Sequence, residues 1–252
     1  SGTPDPPFTP ISAPQTGKAA KRMAPLLEAR DLEKTFPRHG GSVQVLRDCQ
    51  FALAEKEAVA VTGPSGSGKS TLLNILGGLD NPTAGEVLYR ERPLAMNDHG
   101  AMSRWRSTGV GFVFQFHFLL PDFTALENLL IPVRGRGAVQ PDDRRRALDF
   151  LELTGLADRA NHLPGELSGG EQQRVAVARA FMNRPGIVLA DEPFGNLDRE
   201  IGTRLGDMLF NLREQENTAL VIVTHDPRLA ARADRILGLE DGSLVPVKDM
   251  PT

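Results

Sequence analysis

The sequence predicts an α/β fold with a mostly parallel sheet, a small antiparallel β subdomain near its beginning and an inserted α-helical subdomain. Short, almost wholly apolar runs such as EAVAVTG, GIVLADE and ALVIVTHD indicate the parallel sheet, because its strands are covered on both faces. Short β-like runs soon after residue 25 indicate the antiparallel part. The stretch from about Arg104 to Leu163 reads mainly as helix and indicates the insertion.

Length and composition limit the classes of protein that fit. A chain of 252 residues with 40% hydrophobic and 24% charged residues can bury a sizeable core. Its net charge of -3 argues against a general nucleic-acid binder. Cys49 is the single cysteine, so a reducing compartment is expected. No apolar run approaches the roughly 20 residues that cross a bilayer, so any membrane contact is expected to come through a partner.

The first elements follow a lead, residues 1–25, whose proline, serine and threonine content predicts disorder. The runs LLEARDLEKTF, VQVLRDCQFAL and GEVLYRERPL are expected to pair as the antiparallel sheet. Before the third of these, EAVAVTG is a buried strand and STLLNILGGL is a helix that ends at Gly77 and Gly78. This order is strand, glycine-rich loop, helix.

The remaining elements complete the insertion and the parallel sheet. In the insertion, DFTALENLLIPV is a helix that ends at its proline, and PDDRRRALDFLELTG is a helix with a proline entry and a glycine exit. GIVLADE and ALVIVTHD are parallel strands joined by a helix from about Arg199 to Glu216. The chain then forms a hairpin that turns at Asp241 and Gly242.

The segment LSGGEQQRVAVARA begins a helix with two glycines in its first turn. Ser168 and Glu171 have the spacing of a capping box, which accounts for the serine and the glutamate but not for the glycines. Each glycine costs the helix about 1 kcal/mol relative to alanine. Glycine lets another group approach the backbone, and the bare N–H groups of a helix N-terminus bind anions. The sequence therefore predicts an anion-binding site at Gly169 and Gly170.

The segment GPSGSGKS, between a predicted strand and a predicted helix, matches the P-loop pattern and predicts a nucleotide-binding P-loop NTPase core. Its glycines let successive N–H groups point at phosphate oxygens, while Lys69 supplies charge to the β- and γ-phosphates and Ser70 ligates Mg²⁺. The expected ATP-binding residues of this loop and the start of its helix are Gly63, Pro64, Ser65, Gly66, Ser67, Gly68, Lys69, Ser70 and Thr71.

Four polar residues at strand ends are expected to complete the same site. Asp191 ends a buried strand, where a hydrated Mg²⁺ would compensate its charge, and Glu192 faces the other side as a general base toward the attacking water. Gln115 follows the apolar run VGFVF and is expected to ligate Mg²⁺ or contact the γ-phosphate. His225 precedes a helix that begins with Asp226 and Pro227, and is expected to contact the γ-phosphate.

Together these residues resemble the nucleotide-binding subunit of ABC transporters over nearly all of the chain after residue 25. The P-loop, Gln115, LSGGEQQ, IVLADE, GNLD and His225 occur in the order of that family, and LSGGEQQ shortly before IVLADE is close to diagnostic. The resemblance implies that residues 26–252 form one ATP-binding domain with a helical subdomain at about 104–178. It implies an ATPase whose catalytic residues are Lys69, Glu192 and His225.

The resemblance also implies a homodimer that holds two ATP molecules between head-to-tail subunits. Ser168, Gly169 and Gly170 of one copy would contact the γ-phosphate held by the P-loop of the other, and residues 196–198 would cross the interface. Phe36 falls where the family has an aromatic residue, more often tyrosine, that stacks on adenine; a core position in the small sheet is the alternative.

The segment GFVFQFHFLLPDFTALENLLIPV is similar to the ATPases of bacterial lipoprotein-releasing systems; the ATPases of macrolide-export and cell-division permease complexes are the alternative. Either resemblance implies a peripheral subunit on the cytoplasmic face of the inner membrane that contacts integral-membrane permease subunits. It also implies that the subunit contacts neither nucleic acid nor the transported substrate. Some apolar side chains of this segment are expected to pack in the core of a subdomain, and others to form a groove for a permease helix. These side chains are Phe116, Phe118, Leu119, Leu120 and Phe123.

Three other classes explain the motifs less well. A P-loop kinase or GTPase predicts no LSGG segment, and the guanine-specific N-K-x-D sequence is absent. The ATPases of DNA repair and chromosome structure separate the P-loop from the signature by far longer insertions. A scaffold that binds ATP with little turnover is disfavoured weakly, because Glu192 and His225 are both present.

Overall fold

A six-stranded sheet forms the centre of the protein in the computed structural model, which describes residues 24–38 and 40–247. The strand order is β10-β9-β3-β8-β7-β6, and all neighbours are parallel except the antiparallel pair β9 and β10. The strands are β3 (Ala58–Thr62), β6 (Val110–Phe114), β7 (Ile187–Asp191), β8 (Ala219–Val223), β9 (Arg235–Glu240) and β10 (Ser243–Pro246). Residues 1–23 of the predicted lead lie outside the described residues.

The strands of this sheet are apolar throughout because each of its two faces is covered. Successive side chains of a strand point to opposite faces, so Val59 and Val61 enter one buried cluster while Ala58 and Ala60 enter the other. The first cluster includes helix α1 (Lys69–Leu76) and the second sheet. The second cluster includes most of the remaining helices, as the periodicity predicts for a sheet buried on both sides.

The second sheet is antiparallel, as predicted, and has the strand order β2-β1-β4-β5. Its strands are β1 (Leu27–Arg38), β2 (Gly41–Leu53), β4 (Ala84–Tyr89) and β5 (Arg92–Pro93). Leu27, Leu32, Leu46 and Leu53 are fully buried between this sheet and the central one. The hairpin of β1 and β2 therefore lies beside the loop that joins β3 to α1, where Val45 contacts Gly68.

Helices follow the strands in the expected order. They are α2 (His99–Thr108), α3 (Ala125–Arg134), α4 (Pro141–Leu153), α5 (Gly169–Phe181), α6 (Arg199–Glu216) and α7 (Pro227–Ala230), with 3-10 turns at Ala157–Arg159 and Pro164–Glu166. Helix α6 has the predicted bounds, and Asp226 caps α7 as predicted. Across residues 24–38 and 40–247, none of the helices combines the length and apolar character needed to cross a membrane.

Two predictions about the insertion were wrong. The stretch from Arg104 to Leu163 is not mainly helix throughout, because residues 110–114 form β6, which pairs in parallel with β7. Helix α3 does not end at its proline: Pro132 lies inside it and the helix continues to Arg134. The fully buried side chain of Val133 holds the next turn against the core despite the backbone hydrogen bond that proline cannot donate. The bounds of the helical subdomain stay a prediction.

Candidate functional site

The loop between β3 and α1 curls as the P-loop pattern requires. Gly63, Gly66 and Gly68 have φ angles of 142°, 78° and 104°, which residues with a Cβ rarely adopt. A Cβ on Gly63 would lie 2.7 Å from the Leu239 carbonyl oxygen, and one on Gly68 would lie 2.5 Å from Val45 Cγ1. At Gly66 nothing lies within 4 Å of a Cβ, so this part of the loop is open to a ligand.

The P-loop borders a cavity of about 440 Å³, here called the phosphate cavity. Lys69 is 9% exposed, and its Nζ donates to the carbonyl oxygens of Gly63 (3.0 Å) and Pro64 (2.8 Å), so its charge is held at the cavity wall. Val45 is a lining residue that sequence reasoning missed; it belongs to a strand outside the P-loop motif. The lining residues are Val45, Gly63, Ser65, Gly66, Gly68, Lys69, Ser70, Thr71, Gln115, Glu192, Val223 and His225.

Asp191 lies at the end of β7, near Ser70 in the first turn of the P-loop helix α1. Burial raises the pKa of Asp191, and the Ser70 hydroxyl opposes that shift. Its buried Oδ1 has no hydrogen-bond partner among the described residues. Asp191 itself does not line the phosphate cavity, but the neighbouring Ser70 and Gln115 both do. A buried carboxylate oxygen, a hydroxyl and an amide oxygen are ligands of the kind that Mg²⁺ prefers. These residues therefore fit a magnesium ion.

Glu192 and His225 form a pair on the other wall of the phosphate cavity. Nδ1 of His225 lies 2.8 Å from Glu192 Oε2, and the backbone N–H of His225 donates to the same oxygen at 3.4 Å. Glu192 has a φ of 43°, and its N–H donates to the Val223 carbonyl oxygen, so the residue turns away from the end of β7. The Glu192 side chain is 20% exposed and that of His225 is 71% exposed, which leaves the pair accessible to water.

A larger cavity of about 580 Å³ lies on the α6 and α7 side of the same pair, and Glu192 and His225 also line it. Two of its arginines are already paired: Arg228 with Asp226 at 3.2 Å and Arg232 with Asp207 at 2.7 Å. The phosphate cavity, by contrast, presents the Lys69 ammonium and open backbone, so it is the one suited to a triphosphate.

Gln115 follows β6 and contacts a residue from the loop after β7. Its Nε2 donates to Asn196 Oδ1 at 2.7 Å. Gly195 is adjacent to both side chains, because a Cβ there would lie at ordinary contact distance, 3.4 Å from Gln115 Nε2 and 3.7 Å from His225 Cε1. The family resemblance implies that residues 196–198 lie at a subunit interface, and the sequence gives no sign of this contact inside one chain.

The N-terminus of α5 has the predicted capping box. Ser168 Oγ accepts from the Glu171 N–H at 3.3 Å, and Glu171 Oε2 accepts from the Ser168 N–H at 2.8 Å. Among the described residues, the N–H groups of Gly169 and Gly170 donate to no other group. None of residues 168–170 lines the phosphate cavity, so a single chain does not bring this N-terminus to its own P-loop.

The two glycines have different surroundings. A Cβ on Gly169 would find its nearest neighbour, Leu197 Cδ2, at 3.9 Å, so the side-chain position is essentially open. A Cβ on Gly170 would lie 3.1 Å from Ile201 Cγ2. The close approach of α6 therefore accounts for part of the need for glycine at 170, whereas no contact among the described residues accounts for it at 169.

Arg179, in the last turn of α5, joins this helix to the segment after Gln115, and sequence reasoning missed it. Its guanidinium donates to the carbonyl oxygens of His117 (2.8 Å) and Phe118 (2.7 Å). Burial lowers the pKa of Arg179 to about 10. The chain around these carbonyls exposes Phe116 (61%) and Phe118 (63%), so α5 is tied to an exposed aromatic surface.

Phe36 lies on β1 opposite Val43 and is 39% exposed. It does not line the phosphate cavity. Lys34 Nζ lies 4.8 Å from the centre of its ring and is itself held by Asp80 at 2.7 Å. The ring is therefore a surface group that also contacts a cation, and its adenine-stacking role stays a prediction.

Comparisons with known proteins agree with a nucleotide-binding site. A family profile described as ABC transporter matches residues 46–195. The lipoprotein-releasing system ATP-binding protein LolD of Bordetella pertussis is 49% identical over 88% of this chain and 96% of its own length. LolD of Idiomarina loihiensis is 45% identical over 87% and 96%.

A solved structure is also similar. The dimeric post-hydrolysis state of the ATP-binding cassette MJ0796 bound to ADP and Pi has a TM-score of 0.79 and 40% identity, covering 86% of this chain and 96% of that one.

Proposed function

The chain belongs to the ABC transporter family, and from this premise we propose that it is the ATP-hydrolysing subunit of a complex that releases lipoproteins from the bacterial inner membrane. The observation that carries the proposal is the phosphate cavity, whose wall joins the P-loop to the Glu192 and His225 pair. A site that binds a triphosphate beside a water-accessible carboxylate is equipped for hydrolysis.

The P-loop residues bind and orient the nucleotide. Open N–H groups around Gly66 receive phosphate oxygens, and Lys69 exchanges its two carbonyl contacts for the β- and γ-phosphates. Ser70, Asp191 and Gln115 would hold Mg²⁺, which supplies positive charge to the phosphates when bound. Phe36, near the end of β1, is proposed to stack on the adenine ring.

Glu192 is the proposed general base. Its carboxylate accepts the proton of the water that attacks the γ-phosphorus, and the 2.8 Å contact with His225 orients it for that step. The imidazole also lines the cavity, where its second nitrogen, Nε2, can donate to a γ-phosphate oxygen when both ring nitrogens carry a proton. His225 therefore positions the base and stabilises charge on the phosphoryl group.

The active unit is proposed to be a homodimer. Ser168, Gly169 and Gly170 lie away from the phosphate cavity of their own chain, and the N–H groups of the two glycines are available to an anion. A second copy would supply that anion as the γ-phosphate of its bound ATP. The dimeric form of the similar cassette MJ0796 supports this arrangement.

The exposed aromatic surface, comprising Phe116, Phe118 and Leu120, is the proposed contact with an integral-membrane permease. The subunit would then work at the cytoplasmic face of the inner membrane. In this arrangement the lipoprotein is handled by the permease and never contacts the ATPase. The similarity to LolD proteins over most of both chains supports lipoproteins as the cargo.

Replacing Glu192 by glutamine tests the catalytic part of the proposal. Glutamine keeps the size of the side chain but takes no proton, so we expect hydrolysis to fall by at least about 100-fold. ATP should then hold the dimer together, and light scattering with ATP and Mg²⁺ should report twice the monomer mass.

The control is the double variant Lys69→Ala and Glu192→Gln. It should stay monomeric because it lacks the ammonium group that binds the β- and γ-phosphates. If Glu192→Gln alone stays monomeric at saturating ATP, or hydrolyses ATP at the unaltered rate, the mechanism is wrong.

The cargo is tested on the native complex. We expect the protein purified from membranes in mild detergent to bring with it a permease, and the purified complex in vesicles to release a triacylated lipoprotein when ATP is added. Substituting Phe118 by serine should reduce recovery of the permease, while Leu153→Ser, on an equally exposed leucine of α4, should not. A complex that exports a small hydrophobic drug and leaves the lipoprotein in place would contradict the proposed cargo.

A further inference from the structure

Gln115 and Asn196 are joined by one hydrogen bond that fixes which end of the Gln115 amide faces the phosphate cavity. Nε2 of Gln115 donates to Asn196 Oδ1 at 2.7 Å, and the Gln115 side chain lines the cavity. We propose that Asn196 is a positioning residue that turns the Gln115 amide oxygen toward Mg²⁺. This inference rests on the proposed function, because it assigns a second residue to the same nucleotide site.

The two ends of a side-chain amide are chemically different. The oxygen has lone pairs that can ligate a hard cation, whereas the NH₂ group is a donor and carries partial positive charge. Because Asn196 takes a hydrogen bond from Nε2, the oxygen Oε1 is left for the cavity. If the amide were reversed, Gln115 would present N–H groups to the metal and oppose its binding.

Gln115 needs an external group to hold this orientation. It lies just past the end of β6, its side chain is only half-buried, and an amide on a long flexible stem rotates readily in water. Outer contacts that orient a metal ligand typically contribute 10- to 100-fold to metal affinity. Asn196 supplies such a contact from the loop after the neighbouring strand β7.

The backbone at Asn196 is constrained, which keeps its side chain within reach of Gln115. The loop after β7 makes two consecutive tight turns, in which the Gly195 N–H donates to the Glu192 carbonyl and the Leu197 N–H donates to the Phe194 carbonyl, both at 3.1 Å. Phe194 is 8% exposed and anchors the loop in the core. Asp198 caps α6 immediately afterwards, so Asn196 lies between two fixed points.

The test separates the metal from the nucleotide. Binding of a fluorescent ATP analogue is measured with Mg²⁺ and with EDTA, at protein concentrations at which sedimentation reports monomer, and the ratio of the two affinities is the magnesium factor. Asn196→Leu, which removes the acceptor at similar size, should lower this factor about tenfold and leave the affinity in EDTA unchanged. Asn196→Asp, which can only accept, should keep the factor at or above that of the unaltered protein.

A double-variant cycle decides whether Asn196 acts through Gln115. In a Gln115→Ala background, Asn196→Leu should lower the magnesium factor no further. The inference is overturned if Asn196→Leu leaves the factor unchanged in the unaltered protein, or lowers it by the same amount in both backgrounds. Failure of the unaltered protein to bind the analogue more tightly with Mg²⁺ would instead count against the proposed function itself.

Discussion

Helices α3 and α5 begin with the same capping device but expose very different N-termini. In α3, Thr124 Oγ1 accepts from the Glu127 N–H at 3.3 Å; in α5, Ser168 Oγ accepts from the Glu171 N–H at 3.3 Å. In both helices the glutamate reaches back to the N–H of the capping residue, at 2.9 Å in α3 and 2.8 Å in α5. The capping boxes of the two helices are therefore equivalent.

The difference lies in the two residues that follow the cap. In α3 these are Ala125 and Leu126, whose N–H groups donate to the carbonyl oxygens of His162 (2.9 Å) and Ala160 (3.0 Å). Both side chains are buried. In α5 they are Gly169 and Gly170, whose N–H groups donate to nothing else in the described part of the chain. Both helices have the same cap. The N-terminus of α5 is a candidate binding site because its first two residues have no side chains and no carbonyl oxygen accepts from their N–H groups in the described part of the chain.

Replacing Gly169 by alanine tests this difference most directly, because it gives α5 the small first residue that α3 has. The added Cβ has its nearest neighbour at 3.9 Å, so the fold should tolerate it, with a free energy of unfolding unchanged or higher by up to about 1 kcal/mol. If a phosphate approaches this backbone, ATPase activity should nevertheless fall by at least about tenfold, as steady-state phosphate release would report.

Gly165→Ala is the matched control for that variant. Gly165 lies in the 3-10 turn just before α5, and a Cβ there has nothing within 4 Å, but its backbone is not at the N-terminus of the helix. Its ATPase activity should be unchanged. Equal activity of Gly169→Ala and the unaltered protein would mean that the glycines of α5 serve no ligand.

The sequence predicts those parts of the molecule that depend on local pattern. The capping box of α5, the glycine-rich turn between β3 and α1 and the bounds of α6 depend on residues near one another in the chain, and each has the predicted form. The covered strands are equally readable, because burial on both faces removes polar residues from the whole strand.

Contacts between distant segments are what the sequence did not predict. The apolar run VGFVF indicates a strand end before Gln115, but its parallel pairing with β7 joins segments far apart in the chain. The approach of Ile201 to Gly170, and the hydrogen bond between Gln115 and Asn196, join residues that are 31 and 81 positions apart. Side-chain type alone fixes no partner at such separations.

Removing the capping hydroxyl of each helix tests the feature that the two N-termini share. Ser168→Ala and Thr124→Ala each remove one acceptor for an N–H group, so both should lower the free energy of unfolding by about 1 kcal/mol in urea titrations. Only Ser168 is proposed to contact a phosphate of the other copy, and loss of one hydrogen bond to a charged group should reduce ATPase activity about tenfold. Thr124→Ala should keep the activity of the unaltered protein when rates are corrected for folded fraction. The two variants then separate the structural role of a cap, which both helices share, from a ligand contact that belongs to α5 alone. A parallel loss of activity in both would assign the whole effect of Ser168 to the stability of its helix.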